Sequence, residues 1–121
     1  MDLPILDEKK LEMLLELDDG RSGLLAEMLA LFAREAPKRL EVVGKAIQEG
    51  NAQGAMEAAH GLKGASGLLG AEQVFALARA METAGRDGKI PSMESLAELQ
   101  ASVECARKAL DDFLTRQGAP G

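Results

Sequence analysis

Apolar residues recur along the chain at steps of three and four, the spacing of one face of an α-helix. Leu11, Leu14 and Leu15 open the series, and Asp7 stands where a short first helix, running to about Leu17, needs a cap. DDGRSG (residues 18–23) breaks it. From about Leu24 a second series runs through Leu25, Met28, Leu29, Phe32, Ala36, Leu40, Val43 and Ile47, a stripe that one long helix buries. Pro37 falls inside that stripe, but the register continues past it. This predicts a kink within one helix rather than a domain boundary.

EGNAQG (residues 49–54) supplies the next turn, with Asn51 as cap for a third helix reaching about Leu69. Gly70 then occupies the position of a left-handed terminator. Val74, Leu77, Ala78 and Met81 mark a fourth helix ending near Gly85. After GRDGKIPS, Pro91 or Ser92 opens the last helix, whose stripe is Leu96, Leu99, Val103, Ala106, Leu110 and Phe113. Residues 117–121 read as a frayed tail. β-branched and aromatic residues are scarce and no segment repeats. The pattern predicts an all-α fold: an antiparallel up-down-up-down four-helix bundle with a short additional N-terminal helix. It forms one domain over 1–121, ordered over about 7–116.

Bulk properties narrow the function classes. A chain of 121 residues builds one core and not two ordinary domains, and an apolar content of 46% argues against disorder. No apolar run approaches membrane-spanning length, and the first residues lack a basic start followed by an apolar block. The expectation is a cytoplasmic, monomeric protein that does not engage a membrane. The net charge of −6, with no Trp or Tyr, supplies neither the cationic footprint nor the stacking surface of a nucleic-acid binder. With one Cys and one His, a Cys/His zinc site within the chain is ruled out, so no metal site is expected. Cys105, beside the last stripe, reads as a packing residue.

The one histidine lies in AAHGLKGASGLLGA, where Gly61, Gly64, Gly67 and Gly70 follow it at steps of three. At 100° per residue, Ala55, Ala58, Leu62, Ala65, Ser66 and Leu69 gather on the core side of this helix. His60 points roughly opposite Leu62, and Gln53, Met56, Glu57, Lys63, Gly64 and Gly67 share its outer face. Helix-interior glycines at 61, 64 and 67 forgo roughly 3 kcal/mol relative to alanine. Core packing does not recover this at Gly64 and Gly67. Either a second helix comes very close, or something bulky approaches His60. The second fits better, because the glycines flank a titratable group. Gly61, on the flank of the face, has no such account, and a solvated surface histidine is the ordinary alternative for His60.

The string AHGLKGASGLLGA resembles the signature of histidine-containing phosphotransfer domains, H-x-[L/I]-K-G-[S/A/G]-[S/A]-x-x-x-G. His60, Leu62, Lys63, Gly64, Ala65, Ser66 and Gly70 match in position. LLAEMLALFAREAPKRLEVVGKAIQEGN is similar to the family's second helix, and AEQVFALARAMETAGRDGK to the helix after the signature. In all, the resemblance covers about Asp7 to Phe113. It implies an up-down-up-down bundle whose exposed histidine carries a phosphoryl group on Nε2. It further implies a relay to or from the aspartate of a receiver domain, or from a hybrid sensor histidine kinase, without kinase activity of its own. Mg2+ would come from the receiver, and the chain itself would need no cofactor.

Residue by residue, the resemblance makes His60 the phosphorylated group and Lys63 a compact charge offsetting the phosphoryl oxygens. Gly64 and Gly67, with Met56, become the surface that a receiver approaches. Glu82 has two readings. The resemblance implies an orienting hydrogen bond to His60 Nδ1, whereas position alone allows a partly exposed helix carboxylate. Ser66, on the core side, is expected to make a helix-backbone or interhelical hydrogen bond. Two other function classes stay open: a helical adaptor that binds a receiver or another signalling protein without being phosphorylated, and a plain packing module. A conventional enzyme does not fit, for the sequence has no nucleotide loop, nucleophile–base pair or metal cluster. The starting Met and complete bundle favour a free-standing protein over an excised domain.

Overall fold

The computed structural model describes residues 2–18 and 23–117, with five helices in the order α1 (Glu8–Leu17), α2 (Gly23–Glu49), α3 (Ala52–Leu68), α4 (Glu72–Arg86) and α5 (Met93–Arg116). The break after α1 (residues 19–22) and the tail from 118 onward lie outside the described residues. Asp7, Asn51 and Ser92 each cap the following helix, their side-chain oxygens accepting from the backbone N–H of Lys9, Gly54 and Ser95. α2 runs unbroken through Pro37, whose exposed position leaves the carbonyl without an in-helix donor near solvent.

The four long helices close in a ring, α2 against α3 and α5, and α4 against α3 and α5, with α1 packed on α2. The predicted stripes turn inward: Phe32, Val43, Leu62, Val74, Leu99, Leu110 and Phe113 are buried in one core. Met28, Leu77 and Ile47 pack at its margin. The structure corrects one expectation from the sequence. Cys105 is exposed, one step off the inward stripe that Val103 and Ala106 form.

Gly70 terminates α3 as expected. At φ +67° it permits a closing pair of bonds, Ala71 N–H to Ser66 carbonyl at 2.9 Å and Gly70 N–H to Gly67 carbonyl at 3.3 Å. Its carbonyl accepts from Asp7 N–H at 2.7 Å, and a Cβ there would stand 2.9 Å from the Asp7 carbonyl oxygen. The N-terminal segment is thereby strapped across the α3–α4 turn, with Gln73 Nε2 donating to the Leu3 carbonyl at 2.7 Å and Lys10 Nζ to the Gly67 carbonyl at 3.1 Å.

Small residues are buried on both helices of the α3–α4 pair, Ala55 and Ala59 on α3 and Ala78 on α4. At Gly85 a Cβ would lie 2.7 Å from Met56 Cβ and 3.1 Å from the Ala52 carbonyl oxygen. At Gly64 a Cβ would meet nothing within 4 Å. Two alanine substitutions should therefore act in opposite directions. Gly64→Ala is expected to stabilise by about 1 kcal/mol through helix propensity. Gly85→Ala is expected to destabilise, since overpacking of about 1–3 kcal/mol opposes that gain. Urea unfolding of both variants checks the signs, and a stabilised Gly85→Ala would contradict the close seam.

Candidate functional site

α3 and α4 bring His60, Lys63, Glu82 and Arg86 together on one side of the bundle. His60 and Lys63 are one turn apart on α3, as are Glu82 and Arg86 on α4, so each pair shares a helix face. Where α3 and α4 pack together, the α4 carboxylate reaches under the α3 pair. Glu82 retains only 3% side-chain exposure, against 67% for His60 and 25% for Lys63. Of the two sequence readings of Glu82, the partly exposed carboxylate does not hold: the group is buried and triply partnered.

Glu82 Oε1 accepts from Lys63 Nζ at 2.6 Å. Oε2 contacts His60 Nδ1 and lies 3.4 Å from the outer guanidinium nitrogen of Arg86. Foremost through the Lys63 hydrogen bond, and then through the His60 bond and the Lys63 and Arg86 charges, the Glu82 carboxyl is held below the ordinary glutamate value of 4.5, against the upward push of burial. An ionised carboxylate accepts only. The proton between Glu82 and His60 therefore sits on Nδ1, and in the neutral ring this tautomer puts the lone pair on Nε2. With Nδ1 tied down toward α4, the edge of the ring that faces solvent is the Nε2 edge.

The lowered Glu82 value has a definite consequence for stability. The folded protein binds this proton less tightly than the unfolded chain, so ionised Glu82 contributes stability above about pH 4.5 that is lost as pH falls below it. Melting temperatures of the unaltered chain and of Glu82→Gln should differ most at neutral pH. They should converge below pH 4.5, and a gap independent of pH would contradict an ionised Glu82.

The other expected site residues divide. Gly64 is exposed and open, as a clearance beside His60 requires. Gly67 differs: it is half-buried, and a Cβ there would stand 3.4 Å from the Phe75 ring, in ordinary van der Waals contact, so α4 lines one side of it. Met56 is half-buried against Gly85 in the same seam and is not a free outer-face contact. At both positions α4 covers part of the outer face that the helical wheel of α3 alone assigned to solvent. Ser66 is buried and donates to the Lys63 carbonyl at 3.1 Å, the helix-backbone bond of the two its position allowed.

Two cations escaped the sequence reading. Arg86 was visible in principle as the residue four positions after Glu82. Arg39 was not, because it comes from α2, whose register against α3 leaves no trace in local periodicity. Its guanidinium lies on Gly61: a Cβ there would stand 2.5 Å from Arg39 Cζ and 3.1 Å from Nε. Beside it, between α2 and α3, opens an apolar groove of about 270 Å³ lined by Met28, Leu31, Phe32, Leu62, Leu68 and Arg39 among others. Among the described residues, no group of three or more His, Cys, Asp or Glu is placed to hold a metal ion. No described helix is long and apolar enough to cross a membrane.

The architecture matches a known one. The crystal structure of histidine-containing phosphotransfer protein B (HptB) from Pseudomonas aeruginosa PAO1 superposes with a TM-score of 0.82, covering 95% of this chain and 98% of that one at 23% identity. At that identity the likeness speaks for the fold. Among curated proteins, none matches the sequence. The sequence does match the family described as the Hpt domain, over residues 27–116, a span that holds His60, its α4 partners and Arg39. Bundle, exposed histidine and family match agree, and the chain belongs to the Hpt domain family.

Proposed function

We propose that the chain serves its histidine phosphotransfer role through His60, which accepts a phosphoryl group on Nε2 and exchanges it with the aspartate of a receiver domain. The observation that carries this reading is the Nδ1 contact with ionised Glu82, which leaves the Nε2 lone pair at the exposed edge of the ring.

The chemistry balances on these groups. The Nε2 lone pair attacks phosphorus of an aspartyl phosphate, the P–O bond to the aspartate breaks, and its electrons leave with the carboxylate. Nδ1 keeps its proton, so the ring that now bears the phosphoryl group is an imidazolium. Glu82 lies against that developing positive charge and stabilises it. Returning the phosphoryl group to an aspartate reverses the same steps, so the chain acts as a carrier without kinase activity. The metal required at the aspartate would be held by the receiver. Gly64 leaves room for the receiver's acidic pocket to reach Nε2, and exposed Leu31 and Leu68 offer it apolar surface along the neighbouring groove.

Incubating the chain with phosphorylated receiver domains and mapping the label by mass spectrometry tests the reading. The expected product is an acid-labile, base-stable phosphoramidate on His60. Tight receiver binding without transfer would instead support an unphosphorylated adaptor and overturn it.

A further inference from the structure

The charges around His60 are unevenly committed. Lys63 Nζ is bonded to Glu82 Oε1, and Arg86 lies on the other oxygen of the same carboxylate. Both cations thus face inward to one anion. Arg39 differs. Among the described residues its guanidinium has no hydrogen-bond or ion-pair partner, although Glu35, one turn back on α2, is close enough in sequence to take it and pairs with Lys38 instead.

Its place is set by a missing side chain. The guanidinium rests on Gly61 in the space where any other residue would put Cβ. Gly61 directly follows His60 and consecutive Cα atoms are about 3.8 Å apart, so the guanidinium lies within a side-chain length of the His60 backbone. Glu82 contacts the ring from the α4 side, and Arg39 reaches over the neighbouring Gly61 from the α2 side. A phosphoryl group on Nε2 adds two negative charges at the exposed edge, beyond the one carboxylate that Lys63 and Arg86 already share. A guanidinium offers two parallel N–H donors that match a pair of phosphoryl oxygens.

We infer that Arg39, seated on Gly61, binds the phosphoryl group carried by His60. This rests on His60 being the phosphorylated residue. It also gives Gly61 a purpose, since the glycine opens the seat for the arginine.

Potassium phosphoramidate tests the assignment on the full chain with no protein partner present. It transfers its phosphoryl group to Nε2 with loss of ammonia, so any effect of Arg39 is direct and not a matter of docking. 31P NMR follows formation and hydrolysis of phosphohistidine. Arg39→Gln is expected to slow formation by about tenfold, the loss of one charge-assisted hydrogen bond in the transition state. Arg39→Lys should recover part of that rate, having the charge without the fork. Gly61→Ala keeps the arginine but closes its seat; it should slow formation similarly, and adding it to Arg39→Gln should change nothing more. Because alanine favours the helix, Gly61→Ala should melt no lower than the unaltered chain.

Unchanged phosphoramidate kinetics in Arg39→Gln would overturn the proposal. So would a defect seen only with a receiver present, which would make Arg39 a docking residue. If the unaltered chain forms no phosphohistidine, the reading of His60 itself fails, and the role of Arg39 fails with it.

Discussion

His60→Gln is expected to abolish phosphoryl transfer entirely while leaving the bundle folded. Glutamine keeps polar atoms near the ring's volume but offers no basic nitrogen with a free lone pair, so no P–N bond can form. The side chain is 67% exposed and its one side-chain hydrogen bond among the described residues goes to Glu82, so the core does not depend on it. Helical circular dichroism should be retained. With the histidine gone, Glu82 still holds Lys63 at 2.6 Å and Arg86 at 3.4 Å, so the buried carboxylate is not orphaned. Receiver binding should survive too, which separates recognition from chemistry. Residual acid-labile, base-stable label in this variant would show that the phosphoryl group is carried elsewhere.

Glu82 substitutions should have the next largest effect on transfer, and two of them divide its work. Glu82→Gln can keep an oxygen on Nδ1–H, preserving the tautomer, but removes the charge that offsets the imidazolium. Glu82→Ala removes both and leaves Lys63, only 25% exposed, without its acceptor. Loss of a supporting hydrogen-bond partner of this kind costs about 10–100-fold in activity. Alanine should reach that range and glutamine a smaller loss. Stopped-flow transfer from a phosphorylated receiver, with NMR of the imidazole nitrogens to read the tautomer, distinguishes the two. Equal rates in all three proteins would mean that the carboxylate serves the fold and not the phosphoryl group.

The helices were legible in the sequence because each carries one apolar stripe, and α1, α3 and α5 also have a capping side chain at their start. Asp7, Asn51, Gly70 and Ser92 end or begin helices where local chemistry requires it. The site was legible to the extent that it lies on one helix: His60, Lys63 and open Gly64 follow from a single wheel. What the wheel could not contain was the neighbour. Glu82 could be placed at the edge of a stripe, yet its burial depends on how α3 and α4 pack together. Met56 and Gly67 were assigned to the outside for the same reason, and Phe75 and Gly85 of α4 occupy that side. Arg39 lay furthest from view. Its role depends on the register of α2 against α3, and Gly61 was its only mark in the sequence.

The groups around the imidazole other than Arg39, namely Lys63, Glu82 and Arg86, come from one helical hairpin, residues 60–86, closed by the turn at Gly70. Contacts this near in sequence form with little loop-closure entropy. The chemical centre is thus a local object, and α5 reaches it only by holding the hairpin in the bundle. Damage to Leu99 or Leu110 therefore lowers the number of competent molecules in solution. It does not change how fast each competent molecule reacts.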